Sequence, residues 1–265
     1  MSDRVLVTIQ DHIAKVMLNR PEKMNALDQA GFEQLASAAV DISHDSRVRA
    51  VLIHANGDHF CSGADRSFLQ GAFADPAVFS DKALNLAVGE SANEFQKPAM
   101  LWYELDVPVV VCLQGVVYGA GLQVALAGDI RIGDETTSMS LFEIHWGLIP
   151  DMGISQTLPR LVRADIAAEL MLTGRVVGAK EAMSIGLLTR LEDNPLRAAI
   201  DLTKQIAAKS PGAIKHGKRL LRESAKMNSA QGLALEARLQ SELVGTPNQL
   251  EAAMSNLQKR EPNFT

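Results

Sequence analysis

Two short apolar runs that do not alternate, residues 50–54 and 108–113, most constrain what this chain can fold into. A strand with one wet face alternates polar and apolar side chains. An unbroken run of Val, Leu and Ile at strand length therefore belongs to a parallel sheet covered on both faces. Parallel strands need long crossovers, which are usually helical. The sequence offers one after Asn19, Arg20 and Pro21: Asp28 is placed to cap a helix carrying Phe32, Leu35, Ala36, Ala39 and Val40, ending before Asp45 and Ser46.

Upstream, Val5, Val7 and Ile9 alternate, as do Ile13, Val16 and Leu18 beyond Gln10, Asp11 and His12, which predicts an N-terminal hairpin. A helix-like stretch at 122–127 leads into a third extended piece at 129–133. Residues 71–96 hold helix formers with few breaks and read as a mobile, partly helical region. From Asp165 the composition shifts to Ala, Leu, Glu, Lys and Arg, broken near Gly186, Asn194 and Pro195, Ser210 and Pro211, and Thr246 and Pro247. Strands alternating with helices to about Met152, then helices only, predict an α/β core over residues 1–195 and a helical C-terminal region over 196–265.

Composition excludes several classes. The chain has 265 residues, 47% apolar and 22% charged, with a formal net charge of −5 and no basic stripe, so a nucleic-acid partner is not expected. No apolar run reaches the roughly 18 residues of a membrane span, and the start lacks the succession of a signal peptide, so a cytoplasmic protein without a membrane partner is expected. Cys61 and Cys112 lie in apolar surroundings and read as core residues rather than a disulfide. His54 and His59 lack a third ligand at metal spacing, so no metal is expected. Trp102 and Tyr103 read as packing residues, and Lys215, Lys218, Arg219 and Arg222 as the solvated face of a helix.

Three stretches carry chemistry. Ser62, Gly63, Ala64 and Asp65 follow the first buried strand. Gly115, Tyr118, Gly119, Ala120, Gly121 and Gln123 follow the second. Either alone could be a plain glycine turn. Together they can aim two backbone N–H groups and a helix dipole at one oxygen that gains negative charge. A dinucleotide fingerprint is a poor match, because its third glycine position is Val124 and Gly119 does not follow the strand directly. In the third stretch, Glu143 and Asp151 stand eight residues apart among apolar neighbours, with Gly147, Pro150 and Gly153 turning the chain. Burial would raise both pKa values into a range useful for proton transfer. The bland alternative is a capping Asp151 and a salt-bridged Glu143.

In chain order, residues 18–27, 60–65, 115–121, 128–131, 143–156 and 259–264 resemble the enoyl-CoA hydratase/isomerase, or crotonase, superfamily over nearly the whole chain. The resemblance implies a crotonase-like (ClpP/crotonase) spiral of ββα units with a helical C-terminal trimerisation region. It implies an acyl-CoA substrate, no cofactor beyond the coenzyme A of the substrate, and a homotrimer or dimer of trimers. The Ala64 and Ala120 amides would form the oxyanion hole, and Glu143 and Asp151 would be the catalytic acids. Lys23, Met24, Ala26, Ser62, Asp65, Gly119, Gln123, Pro150 and Lys259 would meet the substrate, with Lys23, Arg66 and Lys259 the cations for the anionic CoA.

The departures narrow the reaction. Hydratases of this superfamily carry glutamates at the positions of Gln123 and Glu143, and an amide cannot exchange a proton. The pair Glu143 and Asp151 matches dienoyl-CoA isomerases instead, although those usually carry an acid where Gln123 stands. Isomerases with a single glutamate keep the equivalent of Glu143 alone. Dehalogenases share Asp151 but have Trp in place of Glu143. Enoyl- or dienoyl-CoA isomerisation is thus the favoured expectation. Hydration with Asp151 replacing the missing glutamate comes second, and a non-catalytic acyl-CoA-binding protein is the alternative from another class.

Overall fold

The computed structural model describes residues 3–86 and 90–265, together with the backbone alone at Ala72 and Phe73. Readings that touch Met1, Ser2 and residues 87–89 lie outside the described residues. The expected hairpin forms from β1 (Val5–Gln10) and β2 (Ile13–Leu18), paired antiparallel, with Asp11 and His12 at positive φ in the turn. Helix α1 (Gln29–His44) starts where expected, and Asp28 Oδ1 accepts the Gly31 N–H at 2.9 Å. Such a cap stabilises a helix by about 1 kcal/mol. Leu35, Ala38, Ala39 and Ile42 form its buried stripe. Val40 is exposed, since its row falls just outside that stripe.

Beyond β3 (Ala50–Ala55), residues 66–84 form two short helices, α2 (Arg66–Ala74) and α3 (Pro76–Leu84), capped by Asp65 and Asp75. Then come α4 (Lys97–Glu104), β4 (Val109–Leu113), β5 (Val116–Tyr118), α5 (Ala120–Ala127), β6 (Ile130–Gly133), β7 (Ser138–Ser140), α6 (Ile154–Thr157), α7 (Ala164–Thr173), β8 (Val177–Gly178), α8 (Ala179–Ile185), β9 (Arg190–Leu191) and α9 (Pro195–Ala207). The chain ends with α10 (Pro211–Ser224), α11 (Ser229–Leu243) and α12 (Pro247–Gln258).

A six-stranded sheet runs β1-β2-β3-β4-β6-β9 and is parallel from β2 onward. A smaller sheet runs β5-β7-β8. The chain visits the large sheet and then the small one, β4 then β5 and β6 then β7, so each pass turns through both layers. The two-faced burial read from residues 50–54 is present side chain by side chain. Val51, Ile53, Val109 and Val111 face the main core with Leu35, Trp102 and Leu126, while Ala50, Leu52, Val110 and Cys112 face Ala199 and Ala207 of α9.

Two expectations need correction and a third is made specific. Strands do not stop near Met152: β8 and β9 follow, two residues each, too short to leave a periodic trace. Residues 71–96, read as partly helical, hold the end of α2 and all of α3. Lys218 is not solvated. Its Nζ donates to the Val107 carbonyl at 2.9 Å and pairs with Asp129 Oδ2 at 2.8 Å, burying the amine between α10 and the entry to β4. Burial lowers the Lys218 pKa against the opposing pull of Asp129. Both cysteines are buried and free, and burial lifts their thiols to about 12. Among the described residues, no helix is long and apolar enough to cross a membrane, and no cluster of three metal-ligating side chains occurs.

Candidate functional site

Three chain segments are laced together by their backbones. The Cys61 N–H donates to the Val116 carbonyl at 3.0 Å, and the Tyr118 N–H donates to the Cys61 carbonyl at 2.9 Å. On the other side, the Ser62 N–H donates to the Met24 carbonyl, the Leu27 N–H to Gly63 and the Asp65 N–H to Leu27. The segment 20–27 bends through consecutive left-handed residues, Met24 and Asn25. Asn25 is buried and secures the bend with donations to the Asn56 and His59 carbonyls. Arg20 completes the tie, donating to Asp65 Oδ2 at 2.6 Å and to the Ala26 carbonyl at 2.9 Å.

This lacing presents two N–H groups on one wall. Ala64 follows Gly63 at φ 102°, and Ala120 follows Gly119 at φ 51° and ψ −123°. Both glycines adopt backbone that a Cβ disfavours, and each would also meet a neighbour: a Cβ on Gly63 would lie 3.2 Å from the Tyr118 carbonyl. Among the described residues, neither the Ala64 nor the Ala120 N–H has an acceptor. Ala120 is also the first residue of α5, so its donor has no intrahelical partner and carries the positive end of the helix dipole. Ala120 itself keeps a negative φ, so the alanine is unstrained there.

Glu143 sits in a short 3-10 turn, Phe142–Trp146, opposite these donors. Gln123 Nε2 donates to Glu143 Oε1 at 2.8 Å, while Glu143 Oε2 is buried without a partner. Burial raises the Glu143 pKa, and the Asp151 charge adds to the rise while the Gln123 bond opposes it. Asp151 lies on the same cavity wall. Partial burial of its carboxyl raises the Asp151 pKa as well, while the residue keeps surface open to solvent. A raised carboxyl is able to hold and release a proton closer to neutral pH.

These groups open into a cavity of 1110 Å³ that brings together Lys23, Met24, Ala26, Ser62, Ala64, Asp65, Arg66, Gly119, Ala120, Gln123, Glu143 and Asp151. Two expected residues are not on its wall. Pro150 is buried, and Lys259 is an exposed left-handed cap at the end of α12. Asp65 faces the cavity with its carboxylate already engaged: donations from Ser67, then Arg20, hold it at about 2. Its part here is to cap α2 and fix Ala64. The sequence reading missed the tie made by Arg20 and a ring-lined region of the wall formed by Phe32, Phe68, Phe79, Phe95, Phe142 and Trp146. Their only signal was the scarcity of aromatic residues, at 5% of the chain.

Comparison with known proteins agrees with this geometry. Residues 8–265 match the family model for enoyl-CoA hydratase/isomerase. The chain is 29% identical over 265 residues to the 2,3-dehydroadipyl-CoA hydratase of Escherichia coli, covering 98% of each chain. It is 29% identical over 257 residues to the human mitochondrial methylglutaconyl-CoA hydratase, covering 93% of this chain and 72% of that one. Among solved structures, an enoyl-CoA hydratase from Bacillus anthracis superimposes with a TM-score of 0.89 at 27% identity, covering 98% of each chain. With its crotonase fold, two-layer spiral and paired backbone donors, the chain belongs to the enoyl-CoA hydratase/isomerase family.

Proposed function

We propose that this protein isomerises an unsaturated acyl-CoA by moving a proton between two carbons of the acyl chain. The observation that carries the reading is Glu143: its Oε2 is buried without a partner, its Oε1 is held by an amide that cannot take a proton, and a second carboxyl, Asp151, shares the cavity. Glu143 takes a proton from the carbon next to the thioester. Electrons move onto the thioester oxygen, where the Ala64 and Ala120 N–H groups stabilise the enolate; one such donor is worth roughly 3 kcal/mol. The double bond shifts and a proton carried by Asp151 is delivered to the far carbon of the conjugated system. Exchange with water restores Glu143 to its charged form and Asp151 to its protonated one.

Coenzyme A enters as part of the substrate, with Lys23 and Arg66 supplying positive charge on the wall, and no separate cofactor takes part. The reading extends to a cytoplasmic homotrimer or dimer of trimers. Leu221, Leu233, Leu250 and Leu257 on the C-terminal helices are exposed, which supports a subunit contact there. Light scattering on the purified protein tests the assembly.

Hydration is the second reading, favoured by the names of the hydratase relatives. It requires Asp151 to activate the water that a second glutamate would hold. NMR of enoyl- and dienoyl-CoA substrates in D₂O separates the two. Deuterium entering the acyl chain with a shifted double bond supports isomerisation. Rapid, stoichiometric addition of water to crotonyl-CoA reverses the ranking. Thioester binding without any exchange of deuterium points to the non-catalytic alternative.

A further inference from the structure

An aromatic-poor chain has gathered half of its twelve aromatic side chains around one cavity. Five of its eight phenylalanines, Phe32, Phe68, Phe79, Phe95 and Phe142, line the wall beside Glu143 and Asp151, together with Trp146. They come from four places in the fold: α1, α2 with α3, the entry to α4, and the turn bearing Glu143. Four of them form a continuous train. Phe32 and Phe68 have centroids 4.7 Å apart, Phe68 and Phe95 meet edge to face at 6.4 Å, and Phe95 and Phe79 stack at 4.6 Å with an interplanar angle of 24°. None of the six is fully buried, so each keeps surface to offer a ligand.

The charges on this wall are equally one-sided. Wall residues contributed by 68–95 and 142–152 include Glu143 and Asp151 and no Lys or Arg among the described residues. The wall's cations, Lys23 and Arg66, belong to the segments laced around Ala64, Arg66 opening the helix that carries Phe68. An acyl chain ending in a carboxylate would bring its charge among the rings and toward two acids, where Glu143 and Asp151 oppose it. A short acyl group would leave the rings of this wall without contact. A planar ring instead meets the existing rings at the separations aromatic pairs prefer, and it loses less rotational freedom on binding than a linear chain of the same carbon count.

We propose that the acyl group this site takes is uncharged and ring-bearing, an aryl-substituted unsaturated acyl thioester, rather than a short, linear or carboxylate-ended one. The proposal rests on the reading of this cavity as the acyl-CoA site and is independent of whether the reaction is isomerisation or hydration.

The test uses saturated thioesters, which bind without reacting: phenylpropanoyl-CoA, octanoyl-CoA, butanoyl-CoA and adipyl-CoA, titrated calorimetrically into the intact protein. Phenylpropanoyl-CoA is expected to have the lowest Kd, roughly 2- to 12-fold below octanoyl-CoA, the range that ring pairing adds beyond buried area. Butanoyl-CoA and adipyl-CoA should bind more weakly than both. Octanoyl-CoA matching phenylpropanoyl-CoA, or adipyl-CoA binding tightest, overturns the ring-bearing class while leaving the acyl-CoA reading intact. Failure of all four to bind overturns both. Phe79→Leu and Phe68→Leu should each narrow the preference for phenylpropanoyl-CoA over octanoyl-CoA. An unchanged preference in both folded variants also counts against the proposal, and the unmodified protein decides the matter if they do not fold.

Discussion

Gln123 and Glu143 meet as amide donor and carboxylate acceptor, Nε2 to Oε1 at 2.8 Å, in an orientation the backbone dictates. The Gln123 oxygen accepts the Met152 N–H at 2.8 Å, and a backbone N–H can only donate. The NH₂ end must therefore face Glu143. One side chain thus links α5 to both ends of the segment carrying the two acids, and it leaves Glu143 Oε2 as the free atom of the carboxylate.

Replacing that amide with an acid should change the chemistry and its pH dependence together. In Gln123→Glu, two carboxyl oxygens would lie within hydrogen-bond distance, and like charges so close share a proton rather than both ionise. The acidic limb of the kcat/KM profile should move to higher pH. The ratio of hydration to isomerisation should rise, because a second group able to exchange protons then faces the cavity. Parallel pH profiles of the variant and the parent with one enoyl-CoA check both points. A variant with an unmoved limb and an unchanged product ratio would show that position 123 does not set the reaction.

Gly119 shows how closely the donor turn and the acid are fitted. At φ 51° and ψ −123° it occupies backbone that strains any residue with a Cβ, and the added carbon would sit 3.4 Å from Glu143 Oε1. Gly119→Ala should cost about 1–3 kcal/mol of stability, or roughly 2–10 °C in Tm for a domain of this size. The larger effect should be on activity, since twisting this peptide redirects the Ala120 N–H. A loss of about 10²-fold in kcat is expected, comparable to removing one oxyanion donor. Melting curves and kcat measured well below Tm separate the two. Activity within threefold of the parent in a folded variant would remove Ala120 from the oxyanion hole.

What the sequence revealed divides along the range of the interactions involved. The hairpin, the Asp28 cap and the two-faced strands depend on neighbours a few residues apart, so their patterns are written locally. The backbone donors were legible for the same reason, each requiring a glycine beside it. Phe32, Phe68, Phe79 and Phe95 are spread over more than sixty positions and share no spacing, and only the fold brings them together. Lys218 was misread because its helix neighbours Lys215 and Arg219 are charged too; its partners Val107 and Asp129 are some ninety or more residues away.

That buried amine should be a large single contributor to stability outside the site. Lys218 Nζ satisfies the Val107 carbonyl and Asp129, whose Oδ2 also accepts the Val109 N–H at 2.7 Å. Lys218→Met keeps the apolar stem but strands the Val107 carbonyl and leaves Asp129 without its counter-charge. Removing one partner of a buried pair costs about 3–5 kcal/mol. Asp129 is about one-third exposed, its side chain at 34%, so water recovers part of that. A Tm fall of roughly 4–12 °C is expected. Adding Asp129→Asn should cost less than the sum of the two single changes, because the second removes a charge that the first left unpaired. Strict additivity would mean that the pair does not couple α10 to the sheet.

Glu143 should do the opposite and weaken the fold it serves. Burial raises its pKa, so the folded state holds the proton more tightly than the unfolded chain. Between the ordinary and the raised pKa the folded state therefore binds more protons, and stability falls as pH rises through that window. Above the window the charged carboxylate exerts its full cost. Glu143→Gln removes the charge while keeping the shape, so the variant should melt higher than the parent at neutral pH. The difference should shrink toward about pH 4, where the parent's carboxyl is itself protonated. Catalysis should move the other way, falling 10²- to 10⁴-fold if Glu143 is the base. A single set of melting curves across pH, paired with deuterium-exchange rates, checks both halves. A variant that melts lower at neutral pH would mean the charge is stabilised rather than strained, and such a carboxylate would have little tendency to accept a proton from substrate.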